Sequence, residues 1–159
     1  MKQILLKRIQ EKSIIVGVVG LGYVGLPLAV EKAKAGFKTI GFDVQAEKVE
    51  MVNAGHNYIG DVVDSDLKEL VEEKMLSATT DFAQIAQADF VAICVPTPLD
   101  EHQEPDIRFV RDSAMQVAKY LKKGSMVVLE STTYPGTTEE LLKPLLAGQA
   151  AQEKGTVVI

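Results

Sequence analysis

The sequence predicts an α/β protein with a doubly wound, mostly parallel sheet and helices on both faces. Two observations lead to this prediction. Short apolar runs rich in Val, Ile and Ala alternate with segments of helical periodicity, an order typical of parallel sheets built from strand–helix–strand units. The first apolar run, residues 14–19, also leads directly into a Gly-x-Gly-x-x-Gly string at residues 20–25, a turn that connects strand to helix in such sheets.

The strands are expected where β-branched and small apolar residues cluster between turn residues. Ile14 to Val19 is one such cluster, and the others follow at intervals that leave room for a helix between them. We expect strands over residues 14–19, 37–43, 77–79, 89–95, 125–129 and 155–159.

The helices are expected between those strands, over residues 26–34, 45–53, 66–75, 82–86, 107–121 and 137–146. Pro27 suits the opening turn of the first, where its missing N–H is tolerated. Gly55 is placed to end the second and Gly124 to end the fifth. Apolar residues recur in the fifth helix at steps of three and four, so we expect it to face the core.

Two of these helices begin with side chains that suit capping. Asp66 and Glu69 form a capping pair at the start of the third helix. Thr137 and Glu140 form a capping box at the start of the last. We expect both pairs to satisfy backbone N–H groups of their first turns.

Length and composition are those of one ordinary globular domain. The chain has 159 residues, of which 47% are hydrophobic and 25% charged, as in other proteins with a sizeable core. We expect one domain over residues 13–159, preceded by a short amphipathic extension, residues 1–12. The extension lacks a continuous apolar core and a cleavage site, so we do not expect a signal peptide; we expect it to pack on the domain or on a neighbouring chain.

Charge and cysteine content exclude several classes of function. A net charge of −5 without a basic run argues against nucleic-acid binding, and no segment approaches the roughly 18 apolar residues of a membrane span. The single cysteine excludes an internal disulfide framework, and a cytoplasmic location is expected.

The glycine string predicts a dinucleotide-binding turn. Gly20 permits a tight turn, Gly22 lets the backbone approach a pyrophosphate, and Gly25 lets the following helix pack closely on the sheet. The free N–H groups of that helix would face the phosphates, together with Tyr23 and Val24 of the turn. The alternative is a glycine-rich turn without a ligand.

Asp43 indicates that the dinucleotide is NAD rather than NADP. It ends the second predicted strand, 23 residues after Gly20, close to the spacing of roughly 20 found in dinucleotide-binding units. A carboxylate there accepts hydrogen bonds from ribose hydroxyls and repels a 2′-phosphate, and no Arg follows directly. A capping role for the helix at Gln45 is compatible with this one. Lys48 is placed to reach the same ribose or phosphate, although a solvated lysine is an equal alternative.

The loop after the fourth strand is a second candidate wall of the site. Val95, Pro96 and Thr97 are followed by Pro98, and each proline keeps its predecessor out of helical geometry. An extended, stiff loop is therefore expected at the carboxyl end of the sheet, where ligands of doubly wound sheets bind. We predict that it lies under the ribose and nicotinamide; a rigid surface turn is the alternative.

Three segments together resemble the UDP-glucose/GDP-mannose dehydrogenase family. They read GLGYVGLP at residues 20–27, VPTPLD at 95–100 and ESTTYPGTT at 130–138, in the order and spacing of that family. The resemblance covers roughly residues 14–146. The string GHNYIGD at residues 55–61, with VPTP, is most like the UDP-N-acetylhexosamine 6-dehydrogenase branch.

The resemblance implies an NAD-dependent oxidation of a nucleotide sugar at C6, from alcohol to carboxylate, through a thiohemiacetal on a cysteine. It implies that Thr133 helps to position the reacting water or hydroxyl and that Thr132 contacts the cofactor. The alternative for Thr133 is a hydroxyl that satisfies its own loop. Glu130 has two readings as well, a ligand contact or a local hydrogen bond.

Cys94 is not expected to be that nucleophile. It lies within a buried apolar strand, where its pKa is raised and its thiol is inert, and the family's catalytic cysteine falls much later in the chain. His56 and His102 are loop histidines without the spacing of a metal site or a triad.

The chain also departs from the family pattern. The family's catalytic glutamate, lysine, asparagine, cysteine and aspartate follow the region where this chain stops, and residues 147–159 do not match the family's continuation. We therefore expect an excised cofactor domain or the product of a truncated gene, which binds NAD and meets a UDP-sugar only with the missing half. It is expected to be monomeric or to form a homodimer through an exposed apolar patch.

Two alternatives remain open at this point. One is a non-catalytic NAD-binding module, which senses or associates. The other is a dehydrogenase of a neighbouring class that acts on 3-hydroxyacyl or phosphogluconate substrates, although those enzymes should lack the ESTTYPG segment.

Overall fold

Six parallel strands form one sheet in the order β3-β2-β1-β4-β5-β6. The computed structural model describes residues 2–147 and residues 157–158. The strands are β1 (Ile15–Val19), β2 (Lys38–Phe42), β3 (Leu76–Thr79), β4 (Phe90–Ile93), β5 (Met126–Leu129) and β6 (Val157–Val158). The chain reverses its direction of travel across the sheet after β3, so that β1 and β4 are neighbours. This arrangement confirms the predicted doubly wound α/β fold, and the switch point lies between β1 and β4.

Helices precede the first strand and lie between the later ones. They are α1 (Lys2–Gln10), α2 (Gly25–Lys34), α3 (Ala46–Asn53), α4 (Asp64–Glu72), a 3₁₀ helix (Phe82–Gln87), α5 (Arg108–Tyr120) and a π-helical turn (Thr138–Leu142) that continues as α-helix over residues 143–147. Within the described ranges, no helix combines the length and apolarity that crossing a membrane requires.

Two apolar layers lie on opposite faces of the sheet. Because side chains alternate along a strand, Val16 and Val18 of β1 face one layer and Val19 faces the other. The first layer is completed by α2, α3 and α4, and the second by the 3₁₀ helix, α5 and the segment after β5. Helices therefore cover both faces, as the apolar runs predict.

The predicted capping pair of the third helix is wrong. Helix α4 begins at Asp64, two residues before the expected start, and its cap residue Val63 makes no side-chain cap bond. Asp66 thus lies inside the first turn, and its carboxylate accepts from Lys34 Nζ of α2 at 2.9 Å. The acidic side chain pairs with a cation of another helix because the backbone it was expected to cap begins earlier.

The predicted capping box of Thr137 and Glu140 is also wrong. Thr137 has helical backbone angles, φ −51° and ψ −39°, whereas a cap residue is usually extended. Its hydroxyl therefore donates back to the carbonyl of Tyr134 at 2.7 Å, a common local bond of threonine. The N–H of Glu140 donates to the carbonyl of Gly136.

A buried carboxylate joins four segments at the amino edge of the sheet. Asp89 is 3% exposed. Its oxygens accept from Arg8 of α1 at 2.6 and 2.9 Å, from Lys122 at 2.8 Å and from the N–H of Ile15 at 2.9 Å. Burial by itself raises the pKa of Asp89, but the bonds from Arg8, Lys122 and Ile15 outweigh it, and the pKa lies below its ordinary value.

Arg8 of this cluster belongs to the N-terminal segment, so the cluster ties α1 to the domain. Leu5 and Ile9 of α1 also pack against the first apolar layer. The N-terminal segment is therefore a helix seated on the domain by one ion pair and two apolar side chains.

Candidate dinucleotide-binding site

A cleft of about 790 Å³ opens at the carboxyl edge of the sheet, beside the switch point. It lies between the glycine turn after β1, the loops after β2 and β4, the 3₁₀ helix and α5. Eight of the twelve predicted site residues line it, namely Gly20, Gly22, Tyr23, Val24, Asp43, Lys48, Val95 and Pro96. Strand order brings the three loops together, because β2 and β4 are the two neighbours of β1.

The glycine turn is closed tightly against the ends of β2 and β4. Gly20 has φ +90°, and its N–H donates to the carbonyl of Phe42 at 2.8 Å. A Cβ at Gly20 would lie 2.8 Å from the carbonyl oxygen of Cys94, and a Cβ at Gly25 would lie 1.6 Å from the carbonyl oxygen of Gly20. Both positions therefore require glycine for packing within the protein itself, and Gly25 supports the turn without lining the cleft.

Gly22 differs from its two companions. A Cβ there would meet no atom of the described residues within 4 Å, and the residue lines the cleft. The part of the fold that the structure describes therefore does not require a glycine at this position. The free space beside its backbone suits a group that must approach closely, as a pyrophosphate does in dinucleotide sites. The turn therefore fits a dinucleotide.

Asp43 ties the glycine turn to the end of β2. Its side chain accepts from the N–H of Leu21 at 2.9 Å through Oδ2 and from the N–H of Gln45 at 2.9 Å through Oδ1. It does not cap α3, which begins at Ala46 with Gln45 as its cap residue. The bond to Gln45 is instead that of an Asx turn. Each carboxylate oxygen keeps a further lone pair, so Asp43 can still accept from ligand hydroxyls in the cleft.

The loops after β4 and β5 are joined to each other. The hydroxyl of Thr97 donates to the carbonyl of Thr132, and the hydroxyl of Ser131 donates to the carbonyl of Val95 at 2.7 Å. Thr133 follows in the same loop and is half-buried. These contacts bring the second and third motifs of the sequence together. Of the threonines predicted for the site, however, none lines the cleft itself.

One wall of the cleft is formed by residues that the sequence analysis did not predict for the site. It is formed by Phe82 of the 3₁₀ helix and by five residues of α5: Phe109, Asp112, Ser113, Met115 and Gln116. A signal for it exists, because Phe109 and Met115 lie outside the apolar stripe of α5 that enters the core. They are 47% and 42% exposed, and apolar side chains beside the core-facing stripe of a helix indicate a second contact surface.

Cys94 belongs to the core, as its place in an apolar strand predicts. It is 5% exposed and packs in the first apolar layer. Burial raises the pKa of its thiol to about 12, and the carboxylate of Glu130 adds to the shift. The thiol is therefore protonated near neutral pH and is a poor nucleophile.

Comparison with known proteins matches this architecture to one family. The model of the UDP-glucose/GDP-mannose dehydrogenase family, NAD binding domain, matches residues 14–159. The chain belongs to this family. Its position in the family is that of the NAD-binding domain, which agrees with the glycine turn and the acid at the end of β2.

Members of the family with similar sequences are known. UDP-N-acetyl-D-glucosamine 6-dehydrogenase of Pseudomonas aeruginosa is 41% identical over 135 residues, which are 85% of this chain and 31% of that protein. UDP-N-acetyl-D-mannosamine dehydrogenase of Yersinia pestis is 40% identical over 148 residues, 86% of this chain and 34% of that protein. The crystal structure of NDP-N-acetyl-D-galactosaminuronic acid dehydrogenase from Methanosarcina mazei Go1 superposes with a TM-score of 0.84 at 32% identity, covering 97% of this chain and 36% of that one.

Membership in the UDP-glucose/GDP-mannose dehydrogenase family corrects one expectation and excludes one alternative. Residues 147–159 were not expected to continue the family pattern, yet the family model extends to residue 159 and β6 within them pairs with β5. The alternative of a neighbouring dehydrogenase class is wrong.

The chain spans about a third of the length of the curated relatives that it matches.

Proposed function

We propose that this chain is the cofactor-binding part of an NAD-dependent nucleotide-sugar 6-dehydrogenase that acts on a UDP-N-acetylhexosamine. The observation that supports it most strongly is the open backbone of Gly22, which faces the cleft at the start of α2 with Asp43 beside it. The sugar class is supported by the relatives, which are named for UDP-N-acetyl-D-glucosamine and UDP-N-acetyl-D-mannosamine.

In this proposal the glycine turn holds the pyrophosphate of NAD. The free N–H groups at the start of α2 and the positive end of its dipole stabilise negative charge there. Gly20 and Gly25 fix the path of the turn, while Gly22 leaves room for the phosphate oxygens. Tyr23 and Val24, which are 81% and 54% exposed, lie at the rim and would be covered by the ligand.

Asp43 selects NAD over NADP in the proposed site. It is held by two backbone N–H groups, so its charge is fixed in the cleft. A carboxylate in that position accepts from ribose hydroxyls and repels a 2′-phosphate. Lys48 of α3 lines the same cleft and would offer its ammonium group to the ribose or a phosphate oxygen.

The remaining predicted residues act near the nicotinamide end. Val95 and Pro96 form the wall below the ring, and the bond between Thr97 and Thr132 holds that wall to the loop after β5. Thr132 would contact the cofactor, and Thr133 would help to orient the reacting hydroxyl or water. When bound, NAD⁺ accepts hydride from C6 of the sugar; the chain supplies binding and orientation.

The sugar chemistry is assigned to the part of the relatives that lies outside the matched third of their length. For a protein made of these 159 residues alone, we expect binding of NAD⁺ without oxidation of a UDP-sugar, unless the second half of a relative is supplied. A cytoplasmic location and a homodimer are further parts of the proposal. The second candidate function is a non-catalytic NAD-binding module; the buried, protonated thiol of Cys94 is compatible with either function.

Calorimetric titration with NAD⁺ and NADP⁺ tests the binding step. We expect saturable binding of NAD⁺ and weaker binding of NADP⁺. A chain that binds neither at millimolar concentration contradicts the proposal. Adding the separately produced second half of the Pseudomonas aeruginosa relative then distinguishes the two functions: NADH formation from UDP-N-acetyl-D-glucosamine supports the dehydrogenase, and NAD⁺ binding without turnover supports the module.

A further inference from the structure

The loop between α3 and α4 is a rigid part of the fold. Ile59 and Val62 are 4% and 6% exposed and belong to the first apolar layer. The side chain of Asn57 donates to the carbonyls of both residues and accepts from the N–H of Ile59 at 2.8 Å. These contacts fix the backbone around Tyr58, the residue between Asn57 and Ile59, to which the proposed function gives no role.

Tyr58 reaches the glycine turn from this loop. Its hydroxyl donates to the carbonyl of Leu21 at 2.6 Å, across 37 positions of sequence. Leu21 is fully buried, and its side chain fills the space beside Gly41, where a Cβ would lie 2.7 Å from Leu21 Cδ2. Its N–H donates to Asp43. The residue between Gly20 and Gly22 is therefore held at its N–H, its side chain and its carbonyl.

The carbonyl that Tyr58 binds belongs to the same peptide unit as the N–H of Gly22. This unit is planar and trans, and the chain contains no cis peptide bond among its described residues. The N–H of Gly22 therefore points away from the Leu21 carbonyl. A hydrogen bond that fixes the direction of the carbonyl also fixes the direction of that N–H.

We infer that Tyr58 is a positioning residue for the dinucleotide: by holding the Leu21 carbonyl, it orients the Gly22 N–H toward the pyrophosphate. This inference rests on the proposed function and adds to it a residue outside the glycine motif. Burial raises the pKa of the Tyr58 phenol above its ordinary value, and the charge of Asp43 raises it further. The hydroxyl therefore remains a donor throughout the neutral and mildly alkaline range.

The test compares Tyr58→Phe with Ser125→Ala. The first change removes only the hydroxyl and leaves the ring in place. The second removes a matched bond, because the buried hydroxyl of Ser125 donates to the carbonyl of Ala88 at 2.9 Å, beside the Asp89 cluster and away from the cleft. Urea unfolding of both variants measures their stabilities, so an effect on binding can be separated from a general loss of structure.

Calorimetry then gives the dissociation constants. We expect Tyr58→Phe to weaken NAD⁺ binding by about three- to tenfold, the loss that corresponds to one hydrogen bond, and Ser125→Ala to leave it unchanged. Adenosine lacks the pyrophosphate, so its affinity, measured by chemical-shift titration at millimolar concentration, should be the same in all three proteins.

Two results would overturn the inference while leaving the proposed function intact: an unchanged NAD⁺ affinity in Tyr58→Phe, or equal weakening of adenosine and NAD⁺, which indicates a distorted cleft. An unmodified chain that binds no NAD⁺ instead overturns the proposed function, and this inference with it.

Discussion

Replacing Gly22 with alanine tests whether the open side of the glycine turn is reserved for a ligand. The added Cβ meets no atom within 4 Å among residues 2–147, and Gly22 does not have a left-handed φ. The fold should therefore tolerate the change, and the loss of backbone freedom in the unfolded chain should raise the free energy of unfolding by about 0.4–1 kcal/mol. A methyl group beside a bound pyrophosphate, by contrast, displaces an oxygen from its N–H donor. Hydrogen bonds to charged groups contribute about 1.5–3 kcal/mol, so NAD⁺ affinity should fall by about ten- to a hundredfold.

Thermal unfolding measures both effects in one experiment. At an NAD⁺ concentration of about 100 times the original dissociation constant, the ligand stabilises the unmodified chain by about 2.7 kcal/mol, and the variant by only about 0.4–1.4 kcal/mol. With about 2–4 °C per kcal/mol for a chain of this size, the ligand-induced Tm shift should fall from about 5–11 °C to about 1–6 °C.

Gly25→Ala is the matched control for this prediction. It adds the same methyl group three residues away, but 1.6 Å from the carbonyl oxygen of Gly20, so we expect a loss of about 3 kcal/mol or more in ligand-free stability. The reasoning is refuted if Gly22→Ala binds NAD⁺ as tightly as the unmodified chain, or if it unfolds as readily as Gly25→Ala without ligand.

Three further predictions concern charged and reactive side chains. Asp43→Asn should lower the affinity for NAD⁺ by about tenfold, because a charged acceptor is lost. It should also bring the affinities for NADP⁺ and NAD⁺ closer together, because the charge that repels the 2′-phosphate is gone. An unchanged ratio of the two affinities in calorimetry would contradict the proposed selectivity. Asp89→Asn should lower the free energy of unfolding at pH 7 by about 1.5–3 kcal/mol. Because folding lowers the pKa of Asp89, its stabilisation is present above the unfolded pKa of about 4 and is lost as the pH falls through the lower folded pKa. The urea midpoints of the variant and the unmodified chain should therefore draw together as the pH is lowered below about 4. Cys94 has a pKa of about 12, so at pH 8 it should react with iodoacetamide about a thousandfold more slowly than an unperturbed thiol. In urea, which unfolds the chain, it should react at the ordinary rate. Rapid alkylation of the folded chain would contradict the burial of this thiol.

The sheet and the glycine turn could be predicted because their signals are local. Periodicity within each segment separates strand from helix, and the spacing of Gly20, Gly22 and Gly25 indicates one backbone path. The acid at Asp43 adds a second position at a fixed distance. Strand order then follows from the general rules for doubly wound sheets, so the edge that carries the cleft was predictable as well.

The helix caps were predicted wrongly because a cap depends on where the backbone enters the helix. Asp66 satisfies the capping pattern at the level of sequence, but α4 begins at Asp64 and Asp66 instead meets Lys34, 32 residues away in the chain. Thr137 is already helical and bonds backward. In both cases the sequence correctly predicts a helix, but it does not identify the residue that caps it.

The cleft wall on α5 and the contact of Tyr58 depend on tertiary packing alone. Ser113 and Gln116 of α5 are ordinary polar helix residues, and they line the cleft because α5 packs against the 3₁₀ helix and β4. Tyr58 meets Leu21 through a loop whose path is set by Asn57 and two buried residues. Nothing in the local sequence specifies the partner in either case.

The Asp89 cluster at the opposite edge of the sheet has a consequence for how the strands are aligned. The N–H of Asp89 donates to the carbonyl of Ile15 at 2.8 Å, and the carboxylate of Asp89 accepts from the N–H of Ile15. Asp89 therefore binds both backbone polar groups of Ile15. A slip of β4 by a single position along β1 would reverse which side chains enter each layer and leave a charge unpaired among apolar residues. The aligned register of β1 and β4 is therefore favoured over a misaligned one. The carboxyl ends of the same two strands lead into the glycine turn and Val95. Because β1 is only five residues long, the register fixed at its amino end by Asp89 also fixes the position of the glycine turn relative to Val95 at the cleft.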